Sequence, residues 1–203
     1  MNSSRHSTGA GRREGLRHIA VHTLARLRVT LGFVFGAIVL ALAQPTGRSL
    51  AIGLSVAAMG EAIRIWASGH LNKAREVTTS GPYRWMPHPL YVGSTVMGIG
   101  LAIACASVTV AVLVAIYLAT TLTAAIKSEE AFLRRTFGDQ YDLYREGQLA
   151  KRAASARRAP RRFSVAQAIA NREHRAVVGF VVVVLLLVLK ATYNGAFWRA
   201  AGT

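Results

Sequence analysis

Two short stretches of this chain gather residues able to do chemistry. In SGPYRWMPHPLYVGS (80–94), His88 stands between Pro87 and Pro89, with Tyr83 and Tyr91 nearby. In SEEAFLRRTFGDQYDLY (128–144), Glu129 and Glu130 open a polar run that follows a long apolar one. A residue before proline is pushed out of the α region, so Met86 and His88 are expected to be extended. Pro89 suits the first turn of a helix, where its missing N–H costs nothing. His88 then falls at the N-cap, beside the positive end of a helix dipole. That end accepts an anionic ligand group such as a carboxylate. Gly93, one turn further on, would leave room for a flat ligand, and SGPY reads as a turn that presents Tyr83. Carboxylates at the end of a membrane helix have a partner or a task. The bland alternatives are an interfacial aromatic anchor for the first stretch and an i,i+4 ion pair, Glu130 with Arg134, for the second. Gly138 is expected to end the helix, and Asp139 to cap the next one.

The elements that must position these groups are apolar. The chain has 203 residues, of which 52% are hydrophobic, and the apolar residues come in blocks rather than in an amphipathic period. Blocks at 29–43, 49–67 and 176–191, with a run from 90 to 126 broken near CAS (105–107), predict five spans in an all-α membrane bundle. The broken run gives two helices of roughly 17 to 19 residues, close to what a bilayer requires. Small residues inside the spans, among them Gly53, Ala57, Gly98 and Gly100, allow close helix packing. The organisation is a basic segment 1–28, two spans within 29–67, a core at 68–149, a basic interfacial segment at 150–175, and a last span with its tail at 176–203.

Charge sets the expected orientation. Of 25 Lys and Arg, six lie in 1–28, four in 64–90 and twelve in 127–175, leaving Arg48, Lys190 and Arg199 for the opposite side. The positive-inside rule then gives a cytoplasmic N-terminus and an external C-terminus in an inner cell membrane. The polar N-terminal segment shows no cleavage signature, so the first span is read as retained. Cys105 is the one cysteine, which excludes an intrachain disulfide and a cysteine-built metal centre; no metal site is expected. The net charge of +16 raises nucleic acid as a partner. The basic stretch 150–175 has only Phe163 as an aromatic, so contact with anionic lipid, about 1 kcal/mol per basic residue, is the expected role and nucleic acid is not.

The sequence HLNKAREVTTSGPYRWMPHPLYVGS, an apolar helical hairpin, then EEAFLRRTFGDQYDLY, resembles the isoprenylcysteine carboxyl methyltransferase and phospholipid N-methyltransferase superfamily. The resemblance covers about residues 68 to 146. It implies an integral membrane methyltransferase that uses S-adenosylmethionine and acts on a lipid or another lipophilic acceptor, by O-, N- or S-methylation. It also implies a cofactor pocket made of Arg75, Glu76, Val77, Thr78, Tyr83, His88, Pro89, Leu90, Tyr91, Glu129 and Glu130, with Tyr141 and Tyr144 in the accompanying motif. Two positions depart from the pattern. Pro87 stands where the family commonly has an arginine, and Ala125 stands where the prenylcysteine enzymes place an arginine against substrate. Both departures speak against a prenylcysteine carboxylate as acceptor. No catalytic base is identified. The residues also leave open a membrane NADPH-dependent reductase-like protein and a non-enzymatic basic membrane scaffold.

Overall fold

The computed structural model describes residues 30–72, 78–146 and 162–195. Arg75, Glu76 and Val77 lie outside the described residues, as do residues 1–29 and 147–161. Among the described residues every regular element is helical, as the sequence predicts. The elements are α1 (Thr30–Leu42), α2 (Gly47–His70), a 3₁₀ turn (Gly81–Arg84), α3 (Pro89–Ala104), α4 (Val108–Phe137), α5 (Asp139–Arg145), α6 (Val165–Ala170) and α7 (Glu173–Tyr193). Helices α2, α4 and α7 are each long and apolar enough to cross a membrane, while α1 and α3 are shorter apolar helices. The chain forms two compact units, Met1–Ala41 and Leu42–Thr203, and everything that follows concerns the second.

Local chemistry explains the helix ends. Thr46 and Ser49 form a reciprocal capping box at the start of α2, with N–H to Oγ distances of 2.9 and 3.1 Å. The predicted break falls at Cys105–Ser107, where Ala106 takes φ +47° and Ser107 caps α4 through Val110 N–H. Ser49 Oγ also donates to Ala104 O at 3.1 Å, and Gln44 N–H donates to Cys105 O at 2.7 Å, tying the start of α2 to this turn.

One length differs from expectation. α4 has 30 residues, because the polar stretch Lys127–Phe137 continues the helix. Its Lys, Glu, Ala, Leu and Arg residues are good helix formers, so only the apolar character stops there. Gly138 ends the helix as expected, at φ +48°, with its N–H donating to Arg134 O at 3.0 Å. Asp139 does not act as a cap; Gly138 itself is the N-cap of α5.

The α2–α3 pair is the centre of the unit, and the two helices run antiparallel. A Cβ added to Gly53 would overlap the backbone of Gly100 and Ala104, and one added to Gly60 would overlap Gly93 and Met97. Ala57 is fully buried in the same stripe. With side chains reduced to hydrogen or methyl, the two backbones touch directly, and dispersion replaces the hydrophobic drive that lipid cannot give. Gly93 belongs to this interface: its hydrogen faces Gly60 O and the Arg64 stem, so it makes room for α2 and not for a flat ligand.

Gly60→Val should therefore destabilise the protein by about 3 kcal/mol, the upper end for overpacking. Gly179→Ala on α7, with nothing within 4 Å, should change stability by less than about 0.5 kcal/mol. Denaturant titration of both variants in detergent micelles checks the contrast, and equal midpoints would contradict this packing.

Candidate functional site

Pro89 occupies the first turn of α3 and His88 is its N-cap residue, at φ −132° and ψ 59°. No side chain caps this N-terminus. The histidine instead projects toward α4, where its two ring nitrogens meet the two adjacent glutamates. His88 Nε2 donates to Glu130 Oε1 at 3.4 Å, and His88 Nδ1 lies 3.8 Å from Glu129 Oε2. The two stretches are 42 residues apart in sequence and meet side chain to side chain. The imidazole is largely covered, whereas the Glu129 side chain keeps 39% of its surface exposed and Glu130 27%. Glu129 is thus a part-exposed carboxylate beside a largely covered histidine. Tyr91 lies against the same imidazole, with ring centres 5.7 Å apart. The ion pair between Glu130 and Arg134 is replaced: Glu130 turns to His88, and Arg134 reaches Asp142 on α5 at 3.4 Å.

Three tyrosines close one side of the site. Tyr144 Oη donates to Tyr83 O at 3.1 Å and to Met86 O at 3.4 Å, so α5 holds the 3₁₀ turn that leads into His88. Burial holds the Tyr83 phenol well above its ordinary range, and the carboxylate of Glu129 adds to this. Burial does the same to Tyr144, helped by Tyr141 and Glu129. Tyr141 has no exposed surface, and its hydroxyl has no hydrogen-bond partner among the described residues. Burial raises that phenol too, with Glu130 contributing. That O–H is a fully buried donor with no partner among the described residues.

Each expected site residue among the described ones has a definite place, and Arg75, Glu76 and Val77 lie outside them. His88, Tyr91, Glu129 and Glu130 come together, with Tyr83 and the motif tyrosines around them. Pro89 is buried in the first turn of α3, and Leu90 O accepts the Ser94 hydroxyl at 2.9 Å. Thr78 is buried, and its Oγ1 accepts from Asn72 N–H at 3.2 Å.

A second polar group was not anticipated. Arg64, inside α2, lies 3.4 Å from Glu61 Oε2 and 2.8 Å from Glu173 Oε1 of α7, and it also donates to Ser94 on α3. Glu61 and Glu173 are buried. The sequence signal was GEAIR inside an otherwise apolar span, since charges in such a place need partners. Counting Arg64 as a loop charge concealed it. Elsewhere, an apolar groove of about 410 Å³ runs between α3 and α4 beside Ile99, Ile103, Val108 and Leu118. It sits at the far end of the hairpin from His88 and carries no titratable side chain.

Residues 33–140 match the family described as phospholipid methyltransferase. The nickel-cobalt-cadmium resistance protein NccN of Alcaligenes xylosoxydans xylosoxydans is 35% identical over 95 residues, which are 46% of this chain and 43% of that protein. The cobalt-zinc-cadmium resistance protein CzcN of Cupriavidus metallidurans is 33% identical over 88 residues, 42% of this chain and 39% of that protein. The chain thus spans about two fifths of the length of the curated relatives it matches. No solved structure matches.

The buried phenols give a pH signature. An unfolded tyrosine ionises near pH 10, about its ordinary value. The folded-state values of Tyr83 and Tyr144 lie above that. Their contribution to stability is therefore complete below pH 10 and lost as pH rises past it, because only the unfolded chain releases those protons. Ultraviolet titration should show the Tyr83 and Tyr144 phenolates appearing only on unfolding.

Proposed function

We propose that this chain, which belongs to the phospholipid methyltransferase family, is a membrane methyltransferase that takes its methyl group from S-adenosylmethionine at the His88–Glu129–Glu130 site. The observation that carries this reading is the meeting of the N-terminal residue of α3 with the two α4 carboxylates. The donor set fits the cofactor's chemistry. An uncapped helix N-terminus suits its carboxylate. Part-exposed carboxylates suit its ammonium and ribose hydroxyls. The rings of Tyr91 and Tyr83 give a surface for a flat base or a sulfonium. Arg75, Glu76, Val77 and Thr78 complete the proposed cofactor set.

When bound, the cofactor supplies an activated methyl group with a good leaving group already attached. What remains for the protein is orientation, and holding an acceptor in line contributes on the order of 7–11 kcal/mol. Pro87 and Pro89 keep His88 stiff; His88 holds Glu129 and Glu130 against α3; Tyr144 keeps the turn at Tyr83 and Met86 closed. The acceptor in this reading is a lipid or another lipophilic molecule that arrives through the bilayer. The basic loops face the cytoplasm of an inner membrane, where they meet anionic lipid and where the soluble cofactor is found. NccN and CzcN are named for resistance to metals. Among the described residues there is no group of three His, Cys, Asp or Glu suited to hold an ion.

Calorimetry with S-adenosylmethionine on the detergent-purified protein tests the site. His88→Ala and Glu129→Gln should each weaken binding by at least roughly tenfold, the worth of one charge-assisted hydrogen bond. Unchanged affinity in both would remove the site from this reading.

A further inference from the structure

The last two turns of α2 end without a local cap. His70 is followed by Leu71 in extended conformation, and no glycine turns the chain. The carbonyls left over at such an end need donors from somewhere. Here they are met by residues almost a hundred positions later. Ser164 N–H donates to Gly69 O at 3.1 Å. Gln167 Nε2 donates to Leu71 O at 3.0 Å. Asn171 Nδ2 uses both of its hydrogens, reaching Ser68 O and Leu71 O at 2.8 Å each. Glu173, two residues further on, takes Arg64. The segment Phe163–Glu173 therefore grips α2 from Arg64 to Leu71, and it lies entirely beyond the family match at residues 33–140.

The grip continues toward the site through two rings. A Cβ on Gly69 would overlap the Phe163 ring, and that ring lies 5.9 Å from the ring of His70. His70 is buried, and its Nδ1 donates to Trp66 O at 3.0 Å, which fixes the imidazole. The face of that imidazole lies against Gly81, where a Cβ would overlap it and where φ is +57°. Only glycine suits both conditions. Gly81 starts the 3₁₀ turn that buries Tyr83, whose carbonyl receives Tyr144. Trp66 and Trp85, 5.8 Å apart, flank the same turn.

We propose that Gln167 and Asn171 are positioning residues: through Phe163 and His70 they hold the Gly81–Arg84 turn, and with it Tyr83, in the conformation that binds the methyl donor. The proposal rests on the reading of the site given above, and it assigns to the chain beyond the family core a part in forming that site. Donor hydrogens, not bulk, are what the arrangement requires.

The full-length protein, with Trp198→Phe so that emission comes from Trp66 and Trp85, is compared with Gln167→Glu, Asn171→Asp and Gln167→Lys in the same background. The two acidic changes keep the shape, remove the N–H donors and set a carboxylate against carbonyl oxygens. Lysine keeps a donor on a stem of similar length and adds a charge favoured at a helix C-terminus. We expect Gln167→Glu and Asn171→Asp to shift tryptophan emission and to weaken S-adenosylmethionine binding by roughly tenfold, while Gln167→Lys stays within about twofold of the parent. Parental emission and affinity in both acidic variants would overturn the proposal, and so would equal losses in Gln167→Glu and Gln167→Lys. If an acidic variant fails to fold, the Gln167→Lys comparison with the other still decides. A parent protein that binds no S-adenosylmethionine would instead defeat the functional reading, and the emission shift alone would then judge the bracing.

Discussion

Everything in the second unit hangs on the direct contact of two backbones. Gly53, Ala57 and Gly60 on α2 press against Gly93, Met97, Gly100 and Ala104 on α3, with no side chain able to fit between them. In lipid, apolar side chains gain nothing by leaving their surroundings, so stability must come from contact density and from polar groups that find partners. The α2–α3 seam supplies the first. The Arg64–Glu61–Glu173–Ser94 cluster supplies the second, linking α2, α3 and α7 where an unpaired charge would be severely penalised. Once α3 is fixed on α2, the place of His88 follows, since it is the residue before the first turn.

Much of the site was legible because its signals are local. Prolines on both sides of His88 dictate an N-cap, and Cys-Ala-Ser between apolar runs dictates a break. The pairing of His88 with the glutamates was inferred from two motifs in sequence order, and the structure joins them. Family resemblance, more than periodicity, supplied the expectation that these stretches belong together.

The rest was hidden for identifiable reasons. Hydropathy falls at Lys127 while helix propensity does not, so α4 is longer than its apolar run. Gly93 was read as space for a ligand because a sequence does not say which side of a helix its neighbour occupies. Arg64 and Glu173 meet across more than a hundred residues, and the carbonyl partners of Gln167 and Asn171 are 96 to 103 positions away. Hydrogen bonds of that kind leave no periodic trace. The helix end they satisfy gives a clue only in retrospect: a helix that stops at His70 without glycine or proline has borrowed its cap.

The unequal lengths of the hairpin arms set the candidate site against the membrane's own dimensions. At about 1.5 Å per residue, the 16 residues of α3 rise only about 24 Å, less than a hydrocarbon core of about 30 Å. The 30 residues of α4 rise about 45 Å and overshoot it. The two arms nonetheless bring His88 and Glu130 to within 3.4 Å, so imidazole and carboxylates share one depth. The shorter arm thus sets the depth of the group, and the part of α4 beyond Glu130 overhangs it.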